Sequence, residues 1–266
     1  MLRLGLMGAG AIGDDVIRMV RSEFADRITI PAVLVRNKRD SQPENYPLLT
    51  DDFDIFFKHN FDVVLEGAGH AAVIDHAEKV LASKTDMIVT SVGAFTDDAV
   101  YQRCIAAAER AGSRLIIPSA GIGALDTLSA AAVGGLTSVH MIVRKDPSAW
   151  FGTHAEQIFD LAGMTEPTVI FEGSPREGAA LYPQNVNISA AVSLAGMGLD
   201  DTRLTIIADT EIDTHICEVH GEGAFGKFSF VEDMVISETN RKTSKLVAMA
   251  VMKTVRQMVS PVLIGA

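Results

Sequence analysis

The sequence has few cysteines, few aromatic residues and a deficit of positive charge. Its 266 residues include two cysteines and one tryptophan, and 6% of them are aromatic. Cys104 and Cys217 lie far apart and form no disulfide framework, so we expect a reducing, cytoplasmic setting. The formal net charge of -11 excludes an overall basic surface. We therefore expect neither nucleic acid nor a membrane as a partner.

Long apolar runs are also missing, since no uninterrupted stretch reaches the length of a membrane span. The short apolar run at the N-terminus ends at Asp14 and is better explained by a strand and a turn than by a secretion signal. Hydrophobic residues nevertheless make up 48% of the chain. That content is enough for one large domain or two closely packed ones.

A glycine-rich turn stands near the start of the chain. Residues 8–13 read Gly-Ala-Gly-Ala-Ile-Gly between an apolar run and an amphipathic stretch, which is the complete G-x-G-x-x-G pattern in its strand–turn–helix setting. The first glycine permits the turn, the second lets the backbone approach a pyrophosphate, and the third lets the helix pack closely. The alternative is a turn that only permits close packing. The pattern predicts a dinucleotide site that includes Gly8, Gly10, Ala11, Ile12 and Gly13.

Strands and helices alternate through the first half of the chain. We predict strands at about 2–7, 28–35, 62–66, 87–90 and 114–117, and helices at about 13–24, 51–59, 70–82 and 97–111. The strands are apolar runs, which is typical of a parallel sheet covered on both faces. This half is predicted to be a Rossmann-type, doubly wound α/β domain over residues 1–120.

The pattern changes after residue 120. We predict strands at about 138–144, 168–172, 203–208, 214–220 and 225–231, and helices at about 123–133, 175–182 and 186–197. Closely spaced strands favour a mostly antiparallel sheet, and hence a second α+β domain over residues 121–240, which we expect to be the catalytic, substrate-binding one. The last segment, residues 241–266, is predicted to hold a helix at about 242–259 that packs back on the first domain.

The turn after the second predicted strand bears on the choice of dinucleotide. An acidic residue usually holds the adenosine ribose there, but this chain has Arg36, Asn37, Lys38 and Arg39. An arginine at this place can accommodate a 2′-phosphate. We expect Arg36 and Asn37 to contact the cofactor and NADP to be accepted, without excluding NAD. The alternative is a solvated basic turn.

The sequence resembles the L-aspartate dehydrogenase family over essentially its whole length. The resemblance is carried by residues 66–68 (Glu-Gly-Ala), 90–94 (Thr-Ser-Val-Gly-Ala), 119–126 (Ser-Ala-Gly-Ile-Gly-Ala-Leu-Asp), 182–187 (Tyr-Pro-Gln-Asn-Val-Asn) and 213–216 (Asp-Thr-His-Ile). It implies oxidation of L-aspartate with NAD or NADP to iminosuccinate, which hydrolyses to oxaloacetate and ammonia or feeds NAD biosynthesis. It also implies that the cofactor contacts Ala124 and either Asn187, which we favour, or Asn185. The active-site histidine would be His215.

The proton transfer that this oxidation requires supports a role for His215 as a base. The ammonium group of aspartate must lose a proton before hydride leaves, and a histidine can accept that proton or hold the water that attacks the imine. A strand histidine is otherwise often a packed core residue. No metal site with Cys217 and His220 is expected, because on a strand residues 215 and 217 face one side and residue 220 the other.

Other candidate residues follow predicted strands, where open α/β sheets bind ligands. We expect Gly67, Ala68 and Ser91 to contact the cofactor and Ser119 to contact the substrate. A dicarboxylate substrate also needs cations. Lys145 is preferred over the other candidates, which are Arg144, Arg176, Arg241 and Lys242.

Two further functions stay open. A reductase similar to dihydrodipicolinate reductase or homoserine dehydrogenase would share the glycine turn but fits the quoted segments less well. A non-catalytic redox sensor that binds NAD(P) would need neither His215 nor a cationic pocket. By analogy with related enzymes we expect a homodimer.

Overall fold

The chain divides into two units that are built on different sheets. In a computed structural model, residues 1–37, 44–119, 122–183, 186–236 and 246–265 are described. The first unit comprises Met1–Pro118 together with Ala248–Ile264, and the second unit begins at Ser119 and continues to Val247. None of the described helices is both long and apolar enough to cross a membrane.

The first unit contains a parallel sheet. Its strands are β1 (Leu2–Met7), β2 (Ile28–Thr29), β3 (Ala32–Leu34), β4 (Leu48–Thr50), β5 (Val63–Glu66), β6 (Asp86–Val89) and β7 (Leu115–Ile116). The strand order is β4-β3-β1-β5-β6-β7, and β2 also pairs with β1. Because β3 lies on one side of β1 and β5 on the other, the order reverses at β1, where such sheets bind ligands.

Helices cover this sheet on both faces, so it is doubly wound. They are α1 (Ala11–Glu23), α2 (Phe53–Phe57), α3 (His70–Ala82) and α4 (Asp98–Ala111). The α1 residues Val16 and Val20 pack with Leu4 of β1 in one core cluster. On the other face, Phe56 and Phe61 lie directly against Gly5. The carboxylates of Asp52 and Asp97 cap α2 and α4 by accepting backbone N–H bonds.

The second unit contains a mixed, mostly antiparallel sheet with helices. Its elements are α5 (Leu125–Gly134), β8 (Leu136–Lys145), β9 (Thr168–Gly173), α6 (Pro175–Leu181), α7 (Asn187–Ala195), β10 (Arg203–Ala208), β11 (His215–Gly223) and β12 (Gly226–Met234). The strand order is β12-β11-β8-β10-β9, and only the β8–β10 pair among these strands is parallel. The predicted fold class is confirmed.

The last described helix, α8 (Leu246–Met258), returns to the first unit. Its residues Val251, Met252 and Val255 are at most 5% exposed and belong to the same core cluster as Leu4 and Val16. The first unit thus takes part of its core from a segment that follows the second unit in sequence.

One prediction about the first sheet is wrong, and one of its strands was not predicted. The single strand predicted over 28–35 is two short strands, because Pro31 lacks the N–H group that would continue the ladder. The strand β4 was not predicted at all, since three residues are too few to show a period. The other elements of this unit lie within about three residues of their predicted bounds.

Candidate active site

A cleft opens at the carboxyl ends of β1, β3 and β5. Its volume is about 710 Å³. The residues lining it belong to the glycine turn, to the loops after β3, β4 and β5 and to α2 and α3. They include Gly8, Gly10, Arg36, Asn37, Asp51, Phe53, Gly67, Ala68, Asp75 and His76. Six of the residues predicted to bind a dinucleotide thus lie around one cleft: Gly8, Gly10, Arg36, Asn37, Gly67 and Ala68.

The glycines of the turn have different environments. Gly8 has a φ of 100°, and a Cβ placed on it would lie 2.6 Å from the carbonyl oxygen of Gly67. A Cβ on Gly13 would overlap the carbonyl oxygen of Gly8. A Cβ on Gly10 would meet no protein atom within 4 Å. Gly8 and Gly13 are therefore required by the packing of the turn, whereas Gly10 borders open space.

That open space fits a pyrophosphate. Gly10 is the N-cap residue of α1, and no side chain caps the helix there. The N–H groups of the first turn of a helix lack intrahelical partners and favour a negative charge. Ala11 and Ile12, which were predicted to bind the cofactor, are the first two residues of this helix.

The other end of the cleft is aromatic and polar. The rings of Phe53 and His76 stack, with centroids 4.6 Å apart and an interplanar angle of 9°. Burial lowers the pKa of His76 below its ordinary value, so its ring is neutral at pH 7. Arg36 is exposed at the rim. Lys38 and Arg39, the other cations predicted for this turn, lie outside the described residues.

The stacked pair was missed by the sequence reasoning. Nothing in the local pattern joins Phe53 to His76, because the two residues lie on different helices and are 23 positions apart. A helix histidine with no like neighbour on its own face gives no signal of its own.

In the second unit, two predicted site residues lie side by side on β8 and β11. Lys145 and His215 are directly opposite each other in the register, and they are only 6% and 4% exposed. The Lys145 ammonium lies 5.5 Å from the ring centroid of Trp150, which is a cation–π distance. This face of the sheet therefore holds a buried cation beside an imidazole.

The next position on this face is Cys217, opposite Glu232 of β12. Burial raises the pKa of the Cys217 thiol to about 12, so the thiol stays protonated and is no nucleophile at neutral pH. Residue His220 lies on the opposite face, where its ring pairs with Ser229 and Glu218. Within the described residues, no three His, Cys, Asp or Glu side chains are grouped to hold a metal ion.

Glu232 is a second feature that the sequence reasoning missed. Its Oε1 atom accepts a hydrogen bond of 3.1 Å from the backbone N–H of Gly123. Its Oε2 atom is buried with no partner in the described part of the chain, and burial raises the pKa of this carboxyl group. Gly123 directly precedes Ala124, so Glu232 attaches the start of α5 to the sheet. Strand β12 also carries Asp233, and the sequence does not distinguish Glu232 from this second acidic residue.

The remaining predicted residues lie at element ends. Ala124 is the buried N-cap residue of α5, and Asn187 is the half-buried first residue of α7. The carbonyl of Ser119 accepts a hydrogen bond of 2.7 Å from the N–H of Ile122. Their contacts with cofactor or substrate stay predictions. Asn185, Arg241 and Lys242 lie outside the described residues.

Three other predicted residues form hydrogen bonds or ion pairs with side chains of the protein itself. The hydroxyl of Ser91 is buried and donates to Glu66, and Ser91 is not one of the described residues that line the cleft. Arg144 lies on the face opposite Lys145, where it pairs with Glu218 and Asp209. Arg176 pairs with the exposed carboxylate of Asp200.

A glycine turn at the switch point of a parallel sheet, joined to an α+β unit, defines the NAD-binding dehydrogenase class of oxidoreductases. The family model described as "Homoserine dehydrogenase, NAD binding domain" matches residues 8–118. The family model described as "Aspartate dehydrogenase, C-terminal" matches residues 126–258.

Curated relatives agree with the family models. The L-aspartate dehydrogenase of Ralstonia pickettii is 38% identical over 256 residues, which cover 95% of this chain and 96% of that protein. The L-aspartate dehydrogenase of Pseudomonas aeruginosa is 37% identical over 260 residues, with 95% and 96% coverage. This chain belongs to the L-aspartate dehydrogenase family, as the resemblance of its motifs predicted.

Solved structures bear on the fold. Aspartate dehydrogenase from Thermotoga maritima superposes with a TM-score of 0.77 at 22% identity, covering 99% of both chains. Homoserine dehydrogenase from S. aureus gives a TM-score of 0.58 at 15% identity, covering 97% of this chain and 79% of that one. At these identities the likeness shows a shared fold alone.

Because a side chain has space at Gly10 but not at Gly13, we expect alanine to have different effects at the two positions. Gly10→Ala should fold with an unchanged Tm and bind NADH and NADPH at least about tenfold more weakly, because the new methyl group occupies the space for the phosphates. Gly13→Ala should lower the free energy of unfolding by about 1–3 kcal/mol, because its methyl group overlaps the Gly8 carbonyl. Nucleotide fluorescence titration and thermal unfolding measure the two effects. Unchanged cofactor affinity in Gly10→Ala would contradict this placement of the pyrophosphate.

Proposed function

We propose that this protein catalyses the NAD(P)-dependent oxidation of L-aspartate to iminosuccinate, which water then converts to oxaloacetate and ammonia. Membership of the L-aspartate dehydrogenase family supports this reaction. The single observation that carries it is the buried pair of Lys145 and His215 on one face of the second sheet. A base beside a cation suits a substrate with an ammonium group and two carboxylates.

The cleft of the first unit suits the cofactor. When bound, NAD(P) supplies the hydride acceptor. The backbone at Gly10 and the first turn of α1 would bind the pyrophosphate. The stacked rings of Phe53 and His76 would pack beside the adenine end, since a neutral aromatic pair is a suitable surface for a base.

The substrate would be bound and deprotonated by groups of the second unit. Lys145, held in place by Trp150, would bind one carboxylate of aspartate. The imidazole of His215 would take a proton from the substrate ammonium and later hold the water that attacks the imine carbon. Both groups are buried, which strengthens their electrostatic interaction with a small diacid.

His215→Ala tests the base. The unmodified enzyme should reduce NAD or NADP with L-aspartate, and His215→Ala should reduce kcat by about 10²–10⁴-fold, the usual contribution of a general base. Cofactor affinity should not change. His220→Ala is the matched control, because His220 lies on the same strand but on the opposite face. Near-normal turnover in His215→Ala would remove this residue from the chemistry. Absence of turnover in the unmodified enzyme, with tight cofactor binding, would favour the sensor.

We also propose that NADP is accepted through Arg36. This cation lines the cleft together with two carboxylates, Asp51 and Asp75, which disfavour an additional phosphate. A 2′-phosphate therefore needs a cation near it, and a guanidinium group binds phosphate with two hydrogen bonds.

Arg36→Ala should raise KM for NADP by about tenfold, because a charge-assisted hydrogen bond to phosphate is lost. KM for NAD should change little, since NAD carries no 2′-phosphate. Initial rates with both cofactors at saturating L-aspartate give the comparison. An equal change for the two cofactors would show that Arg36 does not read the phosphate.

We propose that two copies of this chain associate through the sheet of the second unit. Helices α5 and α6 pack on one of its faces, while Val169 and Val231 on the other face are 47% and 58% exposed. Val169 lies on β9 and Val231 on β12, the two edge strands of this sheet, and exposed apolar side chains at both edges favour burial against a partner.

Light scattering should then give about twice the chain mass of 28.4 kDa. Val231→Arg should shift the protein to monomer, because burying a guanidinium without a partner is costly. Val133→Arg on α5, where the side chain is 92% exposed, is the matched control and should stay dimeric. A monomeric unmodified protein would refute this assembly.

A further inference from the structure

Glu66 is a fully buried carboxylate at the carboxyl end of β5, next to the dinucleotide cleft. It is 0% exposed and accepts four hydrogen bonds. Its Oε1 atom accepts from the N–H groups of Ala68 and Gly69, at 2.7 and 2.8 Å, and from the hydroxyl of Ser91, at 2.8 Å. Its Oε2 atom accepts from the N–H of Ser91 at 3.0 Å.

These donors come from two different loops. Ala68 and Gly69 belong to the loop after β5, and Ser91 belongs to the loop after β6. A buried carboxylate is strongly destabilising unless hydrogen bonds compensate for the lost water. Each loop can therefore leave its position only by removing two hydrogen-bond donors from this buried charge.

The loop after β5 is also attached to the glycine turn. The N–H of Gly67 donates to the carbonyl of Met7 at 2.8 Å, and its own carbonyl lies so close to Gly8 that only glycine fits there. Glu66 thus connects the loop after β6, through the loop after β5, to the turn that would bind the pyrophosphate.

We propose that Glu66 is a positioning residue for the dinucleotide. Its carboxylate fixes the loop after β5, which lines the cleft with Gly67 and Ala68, and joins this loop to Ser91 of the loop after β6, without touching the cofactor itself. All four hydrogen-bond donors are groups of the protein itself, so this carboxylate is stabilised without any contact with a ligand. This inference rests on the proposed function only in that the cleft binds NAD(P).

Glu66→Gln is the first test. Glutamine has the same shape and keeps one carbonyl acceptor, but its NH2 group would face the N–H of Ser91, donor against donor. We expect NADH and NADPH to bind at least about tenfold more weakly in fluorescence titrations without L-aspartate. The loss should appear as a higher cofactor KM, whereas kcat at saturating cofactor should change much less.

Thr85→Val is the matched control. Thr85 is 4% exposed and its hydroxyl donates to the carbonyl of Phe61 at 3.3 Å, at the amino end of β6 and so at the opposite edge of the same sheet. This variant should lower Tm and leave the cofactor Kd unchanged. If Glu66→Gln behaves in the same way, with a lower Tm and an unchanged Kd, Glu66 is merely structural and the proposal is overturned.

Ser91→Ala keeps the proposal testable if Glu66→Gln fails to fold. It removes one hydrogen bond to Glu66 and should weaken dinucleotide binding by a smaller factor, about threefold. In Glu66→Gln/Ser91→Ala the combined loss should be smaller than the product of the two single losses, because both substitutions weaken the same connection between Glu66 and the loop after β6. Losses that simply multiply would show that Ser91 acts independently of Glu66 and would overturn the proposal.

Dinucleotide binding by the unmodified protein and by Glu66→Gln distinguishes a failure of the cofactor assignment from a failure of the role of Glu66. Absence of dinucleotide binding by the unmodified protein would refute the cofactor assignment itself. Normal binding by the unmodified protein together with normal binding by Glu66→Gln would refute only the role of Glu66.

Discussion

The close approach of two backbone segments, the glycine turn and the loop after β5, is the constraint on which the first unit depends. A side chain at Gly8 would overlap the Gly67 peptide, and one at Gly13 would overlap the Gly8 carbonyl. Hydrogen bonds from Gly8 to Leu34 and from Gly67 to Met7, both 2.8 Å, join the ends of three strands at this point. Because these contacts are made by backbone, the shape of the cleft is set before any ligand arrives, which lowers the entropic cost of binding.

In the second unit the two-residue period of the strands separates two kinds of chemistry. Lys145, His215 and Cys217 lie on the face that contacts the helices, whereas Arg144, Glu218 and His220 lie on the other face. The first face excludes water from a cation and an imidazole. The second face arranges its charges in partly exposed ion pairs. A shift of one residue in the β8–β11 register would exchange the two sets.

Local sequence patterns predicted most of the helices and strands, but they predicted fewer of the contacts in the candidate site. The helix His70–Ala82 and the strand Arg203–Ala208 have their predicted bounds, because periodic apolar residues define them locally. The break at Pro31 and the short strand Leu48–Thr50 were missed, since each depends on pairing with neighbouring strands. The same limit applies to Glu66, Glu232 and the stacking of Phe53 on His76. These contacts join residues that are distant in the chain, and no single segment encodes them.

Helix α8 has a consequence for biosynthesis. During translation the ribosome releases the chain from its N-terminus, so residues 1–118 emerge long before Val251, Met252 and Val255, which complete their core. Until then Val16, Val20 and Leu4 lack part of their apolar covering, whereas the second unit is synthesised as one continuous stretch. The core of the first unit therefore stays incompletely packed until α8 has been synthesised, whereas the second unit is able to fold earlier.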